Sequence, residues 1–592
     1  MKILSIYLWH NSTIAYLKDW ELKYVLNEEK FDNVKNSDNF PIKSINYLKT
    51  KEDLTDLDKI VIIGKGINRW MLRYIENYTK ESKSKMINYE PNIYDRVLYF
   101  IMKYLPWVMN MINDSYLRLR KILFKDKVIA LIEKWLWFKI PEEKVEFIGH
   151  HEAHALSVLY FYWLHTSHDP ILVFTLDWEW DKHCATVNIW KHQKLETIAT
   201  VRNRYSIWDV RSKSFTWWMG MTPLEHEYKV MWLAAYSSKK YYQDVYNKLF
   251  KDTIKINWLT RKSKVPGCKS HVYYHNKLWW LRFDNIAWAL QEFTEEIVMQ
   301  WIKNGIKETG IKKIALSWWV FMNVKLNQKI QELHEIEKVY FMPSAGDDST
   351  PIWGVFWWYL SLKWNLKELK PVETMFSWVR YSDQEVEDFF KDKWDKYDIE
   401  KFKNEEELIK RTANLLKDFE IVAIFQWPWE RWARSLCNRA IMANASNLES
   451  FHTVNDMIKM RDFWMPFAPT MLEERAGKYI KNRDKFKERT IQSDYYMITA
   501  FDSTPLAQKD LKASIHQKDK TLRPQLVNSK SNPLVYKILK EYEWLTGMWW
   551  IMNTSMNIHG YPLVGTLEQA LFTLDNSWLK HMIVNNILIH KK

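Results

Sequence analysis

The chain has 592 residues, of which 47% are hydrophobic, and a formal net charge of +14 at pH 7. This length predicts two or more domains, and three widely spaced cysteines exclude a disulfide framework and a zinc ribbon. No stretch is apolar over the length that a membrane-spanning helix needs, and the apolar run from Ile3 to Leu8 is shorter than that of a signal peptide. We therefore expect a cytoplasmic protein without a transmembrane segment. Because the lysines are scattered, the charge favours a basic, solvated surface over a nucleic-acid interface.

Glycine is rare and tryptophan is frequent. The chain has 13 glycines and 35 tryptophans, and together they make up about 8% of residues, close to the usual share of about 7% for glycine alone. Tryptophan follows aspartate at Asp19-Trp20 and Asp177-Trp178 and occurs in adjacent pairs, where turns would normally use glycine. We hypothesise that many of these tryptophans are glycine in the organism, through a stop codon read as glycine. The alternative is an aromatic-rich binding surface, but stacking platforms do not place adjacent indoles at turns.

The first 30 residues predict a strand, a turn at residues 9–12, a second strand from Thr13, and a third that runs through Val25. With glycine in place of Trp9, this turn suits phosphate binding and is typical of actin-like ATPase folds. Residues 66–146 are rich in lysine and large apolar side chains and predict a helical insertion.

The segment Gly-His-His-Glu-Ala-His-Ala at residues 149–155 predicts a metal site. His150 and His154 are four residues apart, so on a helix both imidazoles project from one face. Imidazole nitrogens suit iron, zinc or nickel, and a carboxylate commonly completes such a site. Asp347 follows a predicted strand and offers that carboxylate. The alternatives are an ordinary polar helix face for the histidines and a helix N-cap for Asp347.

Several loops predict anion binding. A buried strand at 171–176 leads into Asp-Trp-Glu-Trp-Asp at 177–181, which suits a metal–phosphate loop once its tryptophans are glycine. A strand at 313–316 leads through residues 317–323 into a helix. Beyond a charged stretch at about 363–407, a strand at 421–425 precedes several cations. Arginine forks and a lysine that converge with hydroxyl and amide donors suit a phosphate pocket, although any one cation is more often a solvated surface charge.

These motifs together resemble the O-carbamoyltransferase family of the nodulation and tobramycin carbamoyltransferases. Residues 150–155 match the family's HHxAHA, residues 430–439 its E-x-x-x-R-x-L-x-N-R, residues 459–469 its K-x-R and PFAP, and residues 553–557 its NTSFN with Met for Phe. The resemblance covers nearly the whole chain apart from 66–146. Cys437 departs from a usual glycine, and Tyr561 stands where many relatives carry glutamate. Seven tryptophans fall on family glycines: Trp178, Trp180, Trp232, Trp318, Trp319, Trp427 and Trp432.

The resemblance implies an α/β protein of two domains. Residues 1–365 would form an actin-like (ASKHA), metal-binding carbamoyl-transfer domain that carries the helical insertion. Residues 366–405 would be a boundary region, and residues 406–592 a YrdC-like α/β domain that forms carbamoyl adenylate.

The implied function is ATP-dependent O-carbamoyl transfer. Carbamoyl phosphate and ATP would form carbamoyl adenylate, and the carbamoyl group would pass to a hydroxyl of a sugar or small-molecule acceptor. Fe²⁺, with zinc as the alternative metal, and Mg-ATP are implied, and a homodimer is compatible with the resemblance. The alternatives are a threonylcarbamoyl transferase acting on tRNA and a non-catalytic, nucleotide-sensing or nucleic-acid-binding actin-like protein. Full-length coverage with both domains in this order favours O-carbamoyl transfer.

The resemblance also assigns residues. The metal ligands would be His150, His154 and Asp347, and His10 would lie near the acceptor as a catalytic residue, with Lys459 and Arg434 catalytic in the second domain. The residues implied to bind nucleotide and carbamoyl phosphate are Arg434, Asn438, Arg439, Lys459, Arg461, Arg523, Ser555 and Asn557.

Overall fold

The computed structural model describes residues 1–592 apart from 65–92, 363–371, 373–374, 377–379, 394, 427, 429, 431–433 and 491. These residues fall into two compact units. The first unit contains Met1–Leu22 and Asp38–Pro371, and the second contains Lys23–Ser37 and Val372–Lys592. No helix within the described ranges is long and apolar enough to cross a lipid bilayer.

Residues 1–362 contain twelve strands and twelve helices among those described. The strands are β1 (Lys2–Tyr7), β2 (Thr13–Lys18), β3 (Glu21–Asn27), β4 (Lys59–Ile63), β5 (Val145–Ile148), β6 (Ile171–Trp180), β7 (His183–Lys191), β8 (Lys194–Arg202), β9 (Ile254–Asn257), β10 (Thr260–Ser263), β11 (Lys313–Ser317) and β12 (Lys338–Phe341). The helices are α1 (Glu29–Asp32), α2 (Ile42–Lys51), α3 (Ile93–Tyr104), α4 (Pro106–Leu136), α5 (His150–Phe161), α6 (Ile207–Asp209), α7 (Glu227–Leu233), α8 (Lys239–Leu249), α9 (Ser270–Leu278), α10 (Phe283–Thr309), α11 (Val324–Glu332) and α12 (Thr350–Leu362).

Two five-stranded sheets have the same topology. Their orders are β3-β2-β1-β4-β5 and β8-β7-β6-β11-β12. In the first sheet, β1 pairs antiparallel with β2 and parallel with β4, and β4 pairs parallel with β5. In the second sheet, β6 pairs antiparallel with β7 and parallel with β11, and β11 pairs parallel with β12. The parallel strands β1, β4 and β11 and residues 171–177 of β6 are almost wholly buried, as expected for strands covered on both faces. Helix α5 packs against α12, β6 and β11.

The sequence-based prediction of the N-terminal strands is confirmed, and so is the helix at the paired histidines. Helices α3 and α4 lie within the predicted insertion, and residues 65–92 of it lie outside the described residues. The loop predicted at 177–181 begins later in the structure than the sequence suggests. Strand β6 continues through Trp180 with an irregular register after Leu176, because β7 still pairs with it at His183.

The second unit is built on an eight-stranded mixed sheet in the order β13-β22-β21-β14-β15-β20-β16-β19. The strands of the unit, in which β17 and β18 form a separate two-stranded sheet, are β13 (Tyr397–Lys401), β14 (Val422–Phe425), β15 (Arg439–Ala443), β16 (Ala468–Leu472), β17 (Phe501–Asp502), β18 (Thr521–Leu522), β19 (Gln525–Val527), β20 (Trp550–Ser555), β21 (His581–Val584) and β22 (Ile587–Lys591). Its helices are α13 (Asp383–Phe390), α14 (Glu405–Lys417), α15 (Leu448–His452), α16 (Arg483–Lys487), α17 (Pro505–Asp510), α18 (Pro533–Thr546) and α19 (Leu567–Asp575).

The region predicted as a boundary at 366–405 contains part of this unit. Helix α13 begins at a Ser382 capping box, and β13 pairs antiparallel with β22 at the edge of the large sheet. The high charge that suggested a linker belongs to an edge strand and to the outer face of a helix. Val386 and Phe390 on the inner face of α13 are buried in the core of the unit.

Candidate functional site

The predicted metal ligands come from two chain segments that follow parallel strands. Helix α5 begins shortly after β5 at His150, and its first two turns carry His150 and His154 on one face. Asp347 begins a short 3₁₀ turn after β12. The carboxyl ends of parallel strands are where such sheets present functional groups, so the topology accounts for the meeting of residues that are far apart in sequence.

The three side chains converge in a fully buried cluster. His154 Nε2 lies 3.3 Å from Asp347 Oδ1, and His150 Nε2 lies 3.5 Å from the same oxygen. One ligand atom from each residue lies within 4.8 Å of the other two. Metal–ligand bonds of about 2.1 Å separated by roughly 100° place neighbouring ligand atoms about 3.2 Å apart. The spacing therefore fits a metal coordination set.

The remaining donor capacity of the cluster also fits a metal. Among the described residues, neither ring nitrogen of His154 makes a hydrogen bond, and Asp347 Oδ1 accepts none. Buried polar atoms are normally hydrogen-bonded, so a cation is a physically reasonable partner for them. Two imidazoles and one carboxylate form a donor set that suits Fe²⁺ and also accommodates zinc.

Burial controls protonation in this cluster. Burial, with a smaller effect of neighbouring histidines, lowers the pKa of His150 and of His154 well below the usual value. Burial likewise raises the pKa of Asp347 well above its usual value, against the opposing effect of the Tyr7 hydrogen bond. Neutral imidazole is the form that binds metals, and a bound cation favours the ionised carboxylate.

Three further side chains position the cluster. The Tyr7 hydroxyl at the end of β1 donates a hydrogen bond to Asp347 Oδ2, and His10 Nε2 lies 3.5 Å from the same oxygen. Asp181 Oδ2 accepts the His150 backbone N–H at 3.0 Å, which satisfies one free donor at the start of α5 and favours that helix end electrostatically. The structure thus places His10, predicted as a catalytic residue, beside the predicted metal ligand Asp347.

His151 shows by contrast what a structural histidine looks like here. Its Nδ1 lies 2.8 Å from Thr175 Oγ1, and its Nε2 lies 3.0 Å from the His183 carbonyl oxygen. A carbonyl only accepts, so Nε2 carries the proton and Nδ1 accepts from the threonine. Both nitrogens are therefore used inside the fold, unlike those of His154.

In the second unit, Glu430 organises the loop before β15. Its Oε1 accepts the backbone N–H groups of Leu436 (3.0 Å), Asn438 (2.8 Å) and Arg439 (2.9 Å). The predicted ligand residue Asn438 donates to the Pro428 carbonyl oxygen at 2.6 Å. One buried carboxylate oxygen thus gathers three backbone donors and determines the course of this loop.

Lys459 lies at the end of a π-helical turn and is almost fully buried. Its Nζ donates to the carbonyl oxygens of Ser555 (2.7 Å) and Asn557 (2.8 Å), and it also contacts both of their side-chain oxygens. Burial, followed by the nearby positive charge of Arg461, lowers the pKa of Lys459 well below its usual value. The predicted residues Lys459, Ser555 and Asn557 therefore form one connected group.

The other predicted cations have individual environments. Arg461 donates to Asn455 Oδ1 at 2.9 Å and stacks on Phe467. Arg439 is fully buried, stacks on Phe425 and donates to the Gln426 carbonyl oxygen, and burial lowers its pKa to about 9. Arg434 and Arg523 are half-buried, and burial lowers the pKa of Arg523 to about 10.

Sequence reasoning missed several residues that shape these sites. Tyr7 and Asn532 carry no local motif signal, because each acts on a distant segment. Asp181 belongs to the loop predicted at 177–181, but its contact with the His150 backbone N–H has no signal in the sequence. Asn532 donates to Asn438 Oδ1 at 3.0 Å and caps α18. Glu430 belongs to the family motif, but the motif does not show that its carboxylate accepts three backbone N–H groups of the loop. Cys437, where the family usually has glycine, has φ of 71°, so the backbone there keeps a glycine-like conformation.

Comparison with known proteins agrees with this arrangement. The family model for the carbamoyltransferase N-terminus matches residues 2–354, and the model for the carbamoyltransferase C-terminus matches residues 413–591. The chain belongs to the carbamoyltransferase family. It is thus a transferase enzyme, and the resemblance inferred from the motifs is confirmed. The His150–His154–Asp347 cluster lies in the N-terminal matched region, and the Glu430 and Lys459 loops lie in the C-terminal one.

Relatives in this family include both uncharacterised and named proteins. An uncharacterised protein of Methanocaldococcus jannaschii is 28% identical over the whole of both chains. The nodulation protein NolNO of Sinorhizobium fredii is 20% identical over 98% of this carbamoyltransferase and 79% of its own length. The 3'-hydroxymethylcephem-O-carbamoyltransferase of Amycolatopsis lactamdurans is 26% identical over 28% of this chain and 30% of its own.

Proposed function

We propose that this carbamoyltransferase is ATP-dependent and transfers the carbamoyl group to a hydroxyl oxygen of a sugar or small-molecule acceptor. In this proposal the N-terminal region has an actin-like fold and performs the transfer, and the C-terminal region has a YrdC-like fold and forms carbamoyl adenylate. The repeated strand order of the two five-stranded sheets supports the first assignment. The O-carbamoyltransferase named among the relatives supports a hydroxyl acceptor.

The adenylate step has a definite atom balance. Water first cleaves carbamoyl phosphate into carbamate and inorganic phosphate. A carbamate oxygen then attacks the α-phosphorus of ATP, which forms carbamoyl adenylate and releases pyrophosphate. Both leaving groups gain negative charge, which fixed cations stabilise. Lys459 and the half-buried Arg434, Arg461 and Arg523 supply these cations in the proposal, while Ser555 and Asn557 orient the ligand and Arg439 and Asn438 hold the loop before β15.

In the transfer step the acceptor hydroxyl oxygen bonds to the carbamoyl carbon, the bond to AMP breaks, and the hydroxyl proton passes to a base. His10 is the base in this proposal because its imidazole lies beside the cluster, 3.5 Å from Asp347 Oδ2. Burial lowers its pKa to about 4, so the imidazole is neutral near pH 7 and can accept a proton. His150, His154 and Asp347 would hold the metal. A bound metal ion supplies Lewis-acid polarisation of the carbamoyl carbonyl oxygen, and Tyr7 and His10 hold Asp347 in place beside it.

The observation that carries the proposal is the buried His150–His154–Asp347 cluster at metal-ligand spacing inside a chain that matches both carbamoyltransferase halves. The test is pyrophosphate release from Mg-ATP, measured with and without carbamoyl phosphate. Hydroxylamine, added as an acceptor, should trap the carbamoyl group as hydroxyurea. We expect pyrophosphate release that requires carbamoyl phosphate, and pyrophosphate release unaffected by carbamoyl phosphate would contradict the proposal.

The two steps should separate in variants. His154→Ala should keep carbamoyl phosphate-dependent pyrophosphate release and lose bound metal, whereas Lys459→Met should lose pyrophosphate release and keep the metal. Loss of both properties in both variants, with unchanged thermal unfolding, would contradict the assignment of the steps to separate regions.

A further inference from the structure

Six tryptophans have a backbone conformation that favours glycine. Their φ angles lie between 57° and 102°: Trp20, Trp137, Trp163, Trp258, Trp280 and Trp318. The left-handed region is sterically costly for residues with a Cβ, and bulky residues there are outliers. Asparagine and aspartate tolerate this region and also occur in it along the chain, but tryptophan has no side-chain group that relieves the cost locally.

One glycine of the chain, Gly310, has the same backbone geometry as Trp137. Gly310 ends α10 with φ 70° and ψ 0°, and Trp137 ends α4 with φ 71° and ψ 20°. This left-handed residue after the last helical turn is the usual place for glycine. Trp258, with φ of 57°, is the first of the two residues in the tight turn between β9 and β10, a position where hairpin turns with a positive φ favour glycine. Tryptophan therefore occupies positions with glycine's structural role.

Trp318 is the clearest case. Its φ of 102° and ψ of 170° lie in a region that is populated almost only by glycine. It stands between β11 and the 3₁₀ turn Trp319–Met322, and its side chain is fully buried. This backbone conformation is sterically costly for any residue with a Cβ, so a buried tryptophan is unfavourable at position 318.

Unsatisfied indole groups provide independent support. Four tryptophans are buried with an indole N–H that makes no hydrogen bond to any described residue: Trp190, Trp318, Trp353 and Trp550. A buried indole N–H normally finds an acceptor, and leaving it without one costs stability. Trp301 shows the expected pattern, because its Nε1 donates to the Leu259 carbonyl oxygen at 2.8 Å.

We propose that these nine positions are glycine in the protein that the source organism makes. The positions are 20, 137, 163, 190, 258, 280, 318, 353 and 550. Backbone conformation supports six of these positions, indole hydrogen bonding supports four, and both support position 318. The composition of the chain is a third, separate observation in favour of the exchange. The codon at these positions is then read as glycine in that organism, and Trp301 remains tryptophan.

Glycine at 318 has a consequence for the candidate metal centre, and this part rests on the proposed metal site. The Trp318 indole centroid lies 3.5 Å from that of the His154 ring and 4.1 Å from that of the His150 ring. The indole thus fills the space directly beside both ligand side chains. Glycine leaves this space open for a metal ion with its remaining ligands and for a substrate oxygen.

The direct test is fragment mass spectrometry of the protein purified from the source organism. The peptide that covers residues 314–325 contains position 318, and the peptide around residue 301 provides an internal reference. We expect glycine at 318 and tryptophan at 301. Tryptophan at 318 in the native protein would overturn the proposal.

A second test uses two recombinant proteins, the chain as written and the chain with glycine at the nine positions. The glycine version should unfold at a Tm several degrees higher, because strain and buried donors are removed. The matched control is Trp301→Gly, which should lower the Tm, since this indole is buried, hydrogen-bonded and packed against Phe174. A Tm that falls in the glycine version as it does in the control would overturn the proposal.

Metal content separates the two parts of the inference. Both recombinant proteins are incubated with Fe²⁺ or Zn²⁺ alone, desalted and analysed for bound metal. We expect about one equivalent in the glycine version and a lower content in the chain as written. A stabilised glycine version without metal would support the glycine assignment and contradict the proposed metal site.

Discussion

Tyr7 donates a hydrogen bond to Asp347 Oδ2 across 340 residues of sequence, and this contact turns the other carboxylate oxygen, Oδ1, toward His150 and His154. A carboxylate restrained in this way has less freedom to lose when it binds a metal. Partners of this kind typically change metal affinity by 10- to 100-fold. Strand β1 thereby contributes to a candidate site whose predicted ligands lie much later in the sequence.

Replacement of this hydroxyl should therefore weaken metal binding. Tyr7→Phe should lower the affinity about 10-fold, measured by competition with a chelator. Tyr16→Phe is the matched control, because Tyr16 is equally buried on the neighbouring β2 and its hydroxyl makes no hydrogen bond to a described residue. Equal affinities for the two variants would show that the Tyr7 hydroxyl does not position Asp347.

The two neighbouring histidines should respond differently to substitution. His154→Ala should reduce the bound metal to a small fraction of an equivalent, because it removes a ligand. His151→Ala should keep the metal but lower the Tm, because it leaves the Thr175 hydroxyl and the His183 carbonyl without their partner. Elemental analysis and thermal unfolding distinguish these outcomes, and metal loss in His151→Ala at unchanged Tm would contradict the assignment.

Lys459 should be essential for pyrophosphate release. Lys459→Met should reduce kcat/KM for ATP by about 100-fold or more, because it removes a fixed cation and releases the segment at Ser555 and Asn557. Lys410→Met provides a surface control, since Lys410 is exposed and forms an ion pair with Glu406 one helical turn away. A reduction below about 3-fold for Lys459→Met would be inconsistent with a role in this step.

Glu430 should contribute to stability rather than to charge compensation alone. Glu430→Ala leaves three backbone N–H groups without their shared acceptor, which should lower the free energy of unfolding by about 3 kcal/mol. Denaturant titration of the full chain measures this change. Glu406→Ala, on the surface of α14, should leave the free energy of unfolding nearly unchanged, and an equally small effect at Glu430 would contradict the structural role.

Two cysteines should be protected from alkylation. Burial raises the pKa of Cys184 and of Cys437 to about 12, so at pH 8 both stay thiols and react slowly. Unfolding returns them to a pKa of about 8.5. The folded state therefore loses stability as pH rises above that value, because the unfolded thiols ionise first. Rapid labelling of either cysteine by iodoacetamide in the native protein would contradict this.

The sequence by itself determined the family, the strands at the N-terminus and the helix that carries the paired histidines. Local spacing decides these features, because a four-residue interval on a helix sets the direction of both imidazoles before any tertiary contact forms. Composition also pointed to tryptophans in glycine positions. The sequence-based prediction placed the start of the loop at 177–181 too early. It also assigned part of the second unit to a boundary, because charge density does not distinguish an edge strand from a linker.

Only the tertiary structure decided which residues act together. Tyr7, His10 and Asp181 join the histidines and Asp347 because parallel strands bring their carboxyl ends to one place. Glu430 acquires its role because a chain turn directs three backbone N–H groups at one oxygen. Such contacts depend on sheet order and loop course, which are global properties of the fold and leave no periodic signal in the sequence.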